Sequence, residues 1–259
     1  MFVAWFRKFL EGKSGHILID QFEIFNLYAK FISFKAGLKF KKLSLECATL
    51  DDYYSLVDSF FYSLHKKSQF KVGIKLFQKK EEIIEFLKLY YKIKPKIILE
   101  IGTYDGGTLS FLTRCASEDA ILITIDLPSA RAGRSYSPIK IPFYRSFKLK
   151  NQKIYFLRLD SHKPIAKKKV KKILKKKKLD VLFIDGDHTY KGVKQDFEDF
   201  CPFVKKEGLI AFHDIVEHSV ELNCGVYKLW NELKKKYNYK EFISNDGENW
   251  AGIGVIKYN

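Results

Sequence analysis

The sequence predicts an α/β fold, a doubly wound and mainly parallel sheet, preceded by a helical N-terminal cap. Three observations predict it. From Lys79 onward short apolar runs alternate with amphipathic segments, the pattern of strands wrapped by helices. Successive apolar runs each end on an acidic or imidazole group, and residues 1–66 carry a separate, helix-like periodicity.

The cap comes first in the chain. Phe22, Phe25, Tyr28, Phe31 and Phe34 recur every third residue, and Thr49 with Asp52 reads as a capping box before Tyr53, Leu56, Val57 and Phe60. Residues 1–66 are therefore expected to form a helical cap or oligomerisation segment, and 67–259 the main domain. The basic, aromatic start (Phe2, Trp5, Phe6, Arg7, Lys8, Phe9) also suits a membrane surface. Packing on the main domain or on a second subunit, as a homo-oligomer, is the fuller use of those aromatics.

A helix is expected over Glu82 to Tyr91, followed by KIILEIGTYDGGTLSFL from Lys96 to Leu112. Ile97, Ile98 and Leu99 form a short run of the kind buried in a parallel sheet, and Glu100 sits where that strand emerges. Gly102, Gly106 and Gly107 permit a tight turn and close approach of a ligand, and Thr108, Leu109 and Leu112 open the next helix. The spacing matches neither a dinucleotide fingerprint nor a P-loop. A carboxylate at the strand end accepts hydrogen bonds from ribose or amine and repels phosphate, so a nucleoside suits the turn better than a nucleotide.

Four more strands follow. Ile121 to Ile125 ends at Asp126, Ile154 to Leu159 at Asp160, Val181 to Ile184 at Asp185, and Leu209 to Phe212 at His213 and Asp214. In an open parallel sheet the carboxyl ends of the strands line one crevice, so Glu100, Asp126, Asp160, Asp185, His213 and Asp214 are expected to converge there. The nine lysines between Lys167 and Lys178 surround Val170, Ile173 and Leu174 at helical spacing and read as the solvent face of a helix. The long segment Ser129 to Lys150, with Arg131, Arg134, Tyr136, Lys140, Tyr144 and Arg145, reads as a lid or specificity loop.

Composition narrows the partners. The net charge is +17, yet only six of the 47 basic residues are arginine, the better reader of phosphate and base edges, so a nucleic-acid substrate is disfavoured. Cys47, Cys115, Cys201 and Cys224 are too scattered for a zinc ribbon or a disulfide scaffold, which points to a reducing compartment. No apolar run approaches the roughly 20 residues that span a bilayer, and a soluble, cytoplasmic protein is expected.

With these positions assembled, the chain from about Lys79 onward resembles the class I methyltransferases that use S-adenosylmethionine. Within them it is similar to the branch of cephalosporin hydroxylase-like proteins and macrolide-sugar O-methyltransferases. The resemblance rests on LEIGTYDGGTL (Leu99 to Leu109), FLRLDSH (Phe156 to His162), FIDGDHTYKGVKQDF (Phe183 to Phe197), GLIAFHDI (Gly208 to Ile215) and WAGIGVI (Trp250 to Ile256). It implies a Rossmann-like domain whose last strands, Tyr239 to Ile243 and the WAGIGVI segment, form an antiparallel pair.

The resemblance also implies roles. Glu100, Gly102, Thr103, Gly106, Gly107 and Thr108 would hold the amino-acid end of S-adenosyl-L-methionine. Asp126, 26 residues beyond Glu100, would take both ribose hydroxyls, and Asp160 and Ser161 would read the adenine edge. Asp185 would border both the cofactor and the reaction centre. His188, in Asp185-x-x-His188, is the candidate general base for a hydroxylated small-molecule acceptor, anionic or sugar-like. Relatives of this type clamp such hydroxyls with magnesium, for which Asp185, His213 and Asp214 are the matching positions. The imidazole there departs from the all-oxygen set magnesium prefers, so either the ion differs, such as manganese or iron, or the site holds none. A nucleic-acid methyltransferase and a non-catalytic relative that binds a partner through the cap are the alternatives.

Overall fold

The computed structural model describes residues 17–64, 71–128, 137–245 and 250–259. The basic aromatic start, the Phe22 side chain and Arg131, Arg134 and Tyr136 lie outside the described residues.

Helices α1 (Ile17–Glu46) and α2 (Leu50–Ser59) precede a small hairpin, β1 (Phe61–Tyr62) and β2 (Val72–Gly73). The expected capping box is present: Asp52 N–H donates to Thr49 Oγ1 at 3.0 Å, and Thr49 N–H donates to Asp52 Oδ2 at 2.9 Å. The three-residue spacing of aromatics does not define the buried face of α1. Phe31 and Phe34 are exposed, whereas Ala29, Ile32, Ala36 and Phe40 are buried. A period of three falls short of the turn of about 3.6 residues, so such a row winds around the helix instead of following one side.

Then come α3 (Lys80–Ile93), β3 (Ile97–Ile101), α4 (Gly107–Cys115), β4 (Ile121–Asp126), α5 (Ile141–Tyr144), β5 (Lys153–Arg158), α6 (Pro164–Leu174), β6 (Leu179–Ile184), α7 (Tyr190–Phe200), β7 (Val204–His213), α8 (Val226–Leu233), β8 (Tyr239–Phe242) and β9 (Ile253–Lys257). The seven-stranded sheet has the order β5-β4-β3-β6-β7-β9-β8. Strands β3 to β7 pair in parallel, and β9 runs antiparallel to both β7 and β8. The chain starts in the middle at β3, winds outward to β5, then returns to β6 on the other side. That switch opens a crevice at the carboxyl ends of β3 and β6.

Both faces of the sheet are covered. One core joins α1 to α4 with Ile98, Leu122, Phe183 and Ala211, and the other joins α6, α7 and α8 with Leu99, Ile123, Leu182 and Phe212. Helix α6 buries Val170 and Leu174 while its lysines face solvent, as the spacing predicts. Much of the expected specificity loop is core instead. Phe143, Tyr144 and Phe147 are buried against α1, and Lys140 is held by Asp105 at 2.7 Å. Alternation of apolar and basic residues in so short a segment hides its inward face from a periodicity reading.

Candidate functional site

The crevice is a cavity of about 1050 Å³ over the carboxyl ends of β3, β4, β6 and β7. Its floor begins with the turn after β3. Gly102 has φ +90° and passes so close to β6 that a Cβ would lie 1.8 Å from the Asp185 carbonyl oxygen. Gly106, at φ +86°, lies under the Tyr144 ring. The turn delivers Gly102, Thr103, Tyr104, Gly107 and Thr108 to the cavity wall, with the amino end of α4 facing it.

Asp126 anchors this turn. Its Oδ2 accepts hydrogen bonds from Thr103 N–H at 2.9 Å and Tyr104 N–H at 2.6 Å, while Oδ1 accepts from Leu127 N–H at 2.6 Å. A carboxylate has about four acceptor positions, and three of them are taken. One acceptor position is left over, where the sequence reading expects two for ribose hydroxyls. Burial raises its pKa, and the three amides oppose that rise.

Glu100 is not on the wall. As the penultimate residue of β3 it points to the same face as Ile98, beneath α3 and α4, because side chains alternate along a strand. Its Oε2 accepts from Thr124 Oγ1 at 2.7 Å, and Thr124 in turn contacts Thr103 Oγ1; Oε1 is buried with no hydrogen-bond partner among the described residues. Burial pushes its carboxyl up to about 8, so it holds its proton at neutral pH. Gly106 is also off the wall, screened by Tyr144.

Asp160, Ser161 and His162 form the lip beyond β5, and Asp160 Oδ1 accepts from His162 N–H at 2.9 Å. Behind them Asp196 is fully buried, 3.3 Å from His162 Nε2, and burial pushes its carboxyl up to about 6.

At the opposite end stands a cluster of two carboxylates and three imidazoles. Asp214 Oδ2 lies 2.8 Å from His188 Nδ1, and its Oδ1 lies 3.2 Å from His213 Nδ1 and 3.3 Å from His218 Nε2. Asp185 Oδ1 lies 3.4 Å from His213 Nδ1 and 3.6 Å from His188 Nε2. Neighbours on a strand would point to opposite faces, but Asp214 has φ +62°, and this turn brings it and His213 into one cluster. Burial works to lower the His213 pKa, but the charges of Asp185 and Asp214 outweigh it and push the imidazole up to about 10. His188 is raised by the same competition, burial against the Asp214 hydrogen bond. Burial works to raise the Asp214 pKa, and the hydrogen bonds from His188 and His213 overcome it and hold the carboxyl far below the usual range. Ligand atoms of Asp185, His213 and Asp214 lie within 4.8 Å of one another, a set that suits a divalent cation of borderline softness.

Sequence reasoning missed Gln78, His218 and Trp250. Gln78 is buried just before α3, donates to Asp185 Oδ2 at 2.7 Å and accepts from Thr108 Oγ1 at 2.8 Å, linking α4 to the cluster. Trp250 closes the wall, with Lys79 Nζ 4.9 Å from its ring centre. Nothing local marks Gln78, whereas His218, four residues after Asp214, had a spacing signal.

Residues 99–215 match the family model of a methyltransferase domain. That segment is similar to a methyltransferase domain. The seven-stranded methyltransferase fold is shared with the O-methyltransferase from Bacillus cereus solved in complex with SAH, at 15% identity and a TM-score of 0.53 over 71% of this chain and 84% of that one. It is shared equally with cofactor-bound Rv0187 from MTB, at 12% identity and a TM-score of 0.53 over 72% and 84% of the two chains. Among curated proteins, the uncharacterized protein R132 of Acanthamoeba polyphaga mimivirus is 29% identical over 186 residues, 67% of this chain and 80% of that one. The methyltransferase match begins in β3 and ends just past β7, so it takes in the glycine turn, Asp126, Asp185, His188 and the His213–Asp214 pair. Among the described residues, no helix is long and apolar enough to cross a membrane.

Proposed function

We propose that this methyltransferase transfers the methyl group of S-adenosylmethionine to a hydroxyl oxygen of a small acceptor, such as a sugar, glycan precursor or natural product. One observation carries the reading: the glycine turn with Asp126 and the Asp185–His188–Asp214 cluster open on the same cavity. When bound, the cofactor supplies a methyl group already activated by its sulfonium. The chain's task is to align the acceptor and take up its proton.

Thr103, Thr108 and the amino end of α4 would hold the methionyl carboxylate, because the helix dipole favours an anion there. Asp126 would accept one ribose hydroxyl, and Ile125, Leu127 and Leu159 supply an apolar wall toward Asp160 and Ser161 for the adenine. The half-exposed His188 would take the acceptor proton, with Asp214 orienting its ring through Nδ1 and leaving Nε2 toward Asp185 and the cavity. Asp185, His213 and Asp214 would hold a divalent cation, which would draw acceptor oxygens toward the cluster and lower their pKa. Phe77, Tyr104 and Trp250 on the wall suit the flat, apolar faces of a sugar ring, and the cluster suits its hydroxyls.

Calorimetric titration with S-adenosylmethionine tests the first half of the proposal. The wild type binds, and Asp126→Ala weakens binding by about 10-fold or more, since a hydrogen bond to a charged group is worth roughly 1.5–3 kcal/mol. Absence of binding by the wild type, or equal binding by Asp126→Ala, overturns it.

A further inference from the structure

Helix α1 has one face on the protein and one face on nothing described. Ala29, Ile32, Ser33, Ala36 and Phe40 are buried. On the other side Leu27, Phe31, Phe34, Leu38 and Leu45 are exposed by 71%, 49%, 50%, 50% and 68%. Steps of four, three, four and seven residues keep these five side chains in one narrow stripe, since a helical turn takes about 3.6 residues. Single exposed apolar residues are ordinary, but a row of large ones along one helix marks an interaction surface.

The border of the stripe identifies the partner. Lys30 and Lys41 follow one edge, Lys35 and Lys42 the other, and no acidic residue occurs from Phe25 to Leu45. Lysines also sit over aromatic rings here: Lys35 over Phe31 at 5.6 Å, Lys39 over Tyr62 at 5.8 Å and, on the adjoining hairpin, Lys71 over the exposed Phe61 at 5.2 Å. A second copy packed stripe to stripe would set lysine against lysine. An anionic bilayer surface accepts both features, the rings and leucines at the headgroup boundary and the ammonium groups on phosphates.

We infer that the α1 stripe docks this protein on the surface of an anionic phospholipid membrane. The helix lies in the interface and does not cross it, with its buried face still holding the methyltransferase domain. The inference is independent of the acceptor and of the catalytic reading.

Co-sedimentation of the full chain with vesicles tests it. Binding is expected to phosphatidylcholine vesicles that contain phosphatidylglycerol, to weaken as salt is added, and to be absent on phosphatidylcholine alone. The variant Phe31→Ser/Phe34→Ser/Leu38→Ser is expected to lose about tenfold or more of that binding. Lys30→Ser/Lys35→Ser/Lys42→Ser tests the charge separately, each lysine near the surface being worth roughly fivefold in partition. Exposed positions leave the thermal midpoint unchanged, which separates loss of docking from loss of fold. Failure of the wild type to bind anionic vesicles, or equal binding by the wild type and both variants, overturns the inference. So does light scattering that shows a dimer, made monomeric by the first variant, without vesicle binding.

Discussion

Burial separates the two carboxylates at the ends of β3 and β4. Glu100 keeps its proton up to about 8, whereas unfolded glutamate releases it near 4.5. Below the unfolded value the contribution of Glu100 to stability is complete. As pH rises toward the folded value, the unfolded chain has given up a proton that the folded one still holds, and stability falls by on the order of 1 kcal/mol per pH unit. Glu100→Gln, which mimics the protonated form, should flatten that decline in denaturant titrations run across the window while leaving cofactor binding at neutral pH in place. An equally steep decline in the variant would assign the slope elsewhere. At His188 the expectation concerns rate: His188→Ala should lower methyl transfer by roughly 10²–10⁴-fold, the usual worth of a positioned base. Its affinity for S-adenosylmethionine should stay near that of the wild type, because the proposed role is toward the acceptor; a parallel loss of cofactor affinity counts against the role.

Among the elements, the turn between β3 and α4 is the most constrained. A methyl group at Gly102 would meet the backbone of Asp185, which cannot yield without parting β3 from β6. At Gly106 it would meet the Tyr144 ring at 2.6 Å, in a conformation that costs an L-residue about 1–2 kcal/mol by itself. Gly106→Ala should therefore lower stability by roughly 2 kcal/mol or more with the ring displaced, and Gly102→Ala should be the worse of the two by thermal melting. Glycine at both positions was legible as a turn. What each one accommodates was not, because Asp185 lies 83 positions and Tyr144 38 positions further along the chain.

For the whole molecule the cap and the sheet form one packed unit. Phe40 of α1 meets Tyr53 of α2, Phe60 after it, and Phe143 and Phe147 of the connection between β4 and β5, with ring centres 5.0 to 6.1 Å apart. Phe40→Ala should cost about 3–5 kcal/mol and lower a single cooperative transition. Two separate transitions would show the cap to be an independent domain with its boundary near residue 66.

The alternation of apolar runs and amphipathic segments determined the doubly wound sheet, because strands buried on both faces and helices buried on one leave different periods in the chain. The acidic and imidazole ends of those runs likewise marked Asp126, Asp160, Asp185, His213 and Asp214, all of which line the cavity. Tertiary structure decided the rest: that the strand pleat turns Glu100 away, that the φ of Asp214 gathers the imidazoles, and that Gln78 reaches across 107 positions to Asp185. It also decided which side of α1 is left bare. Periodicity records the class of environment a segment needs, whereas the identity of the neighbour depends on contacts between residues far apart in sequence, and those leave no local mark.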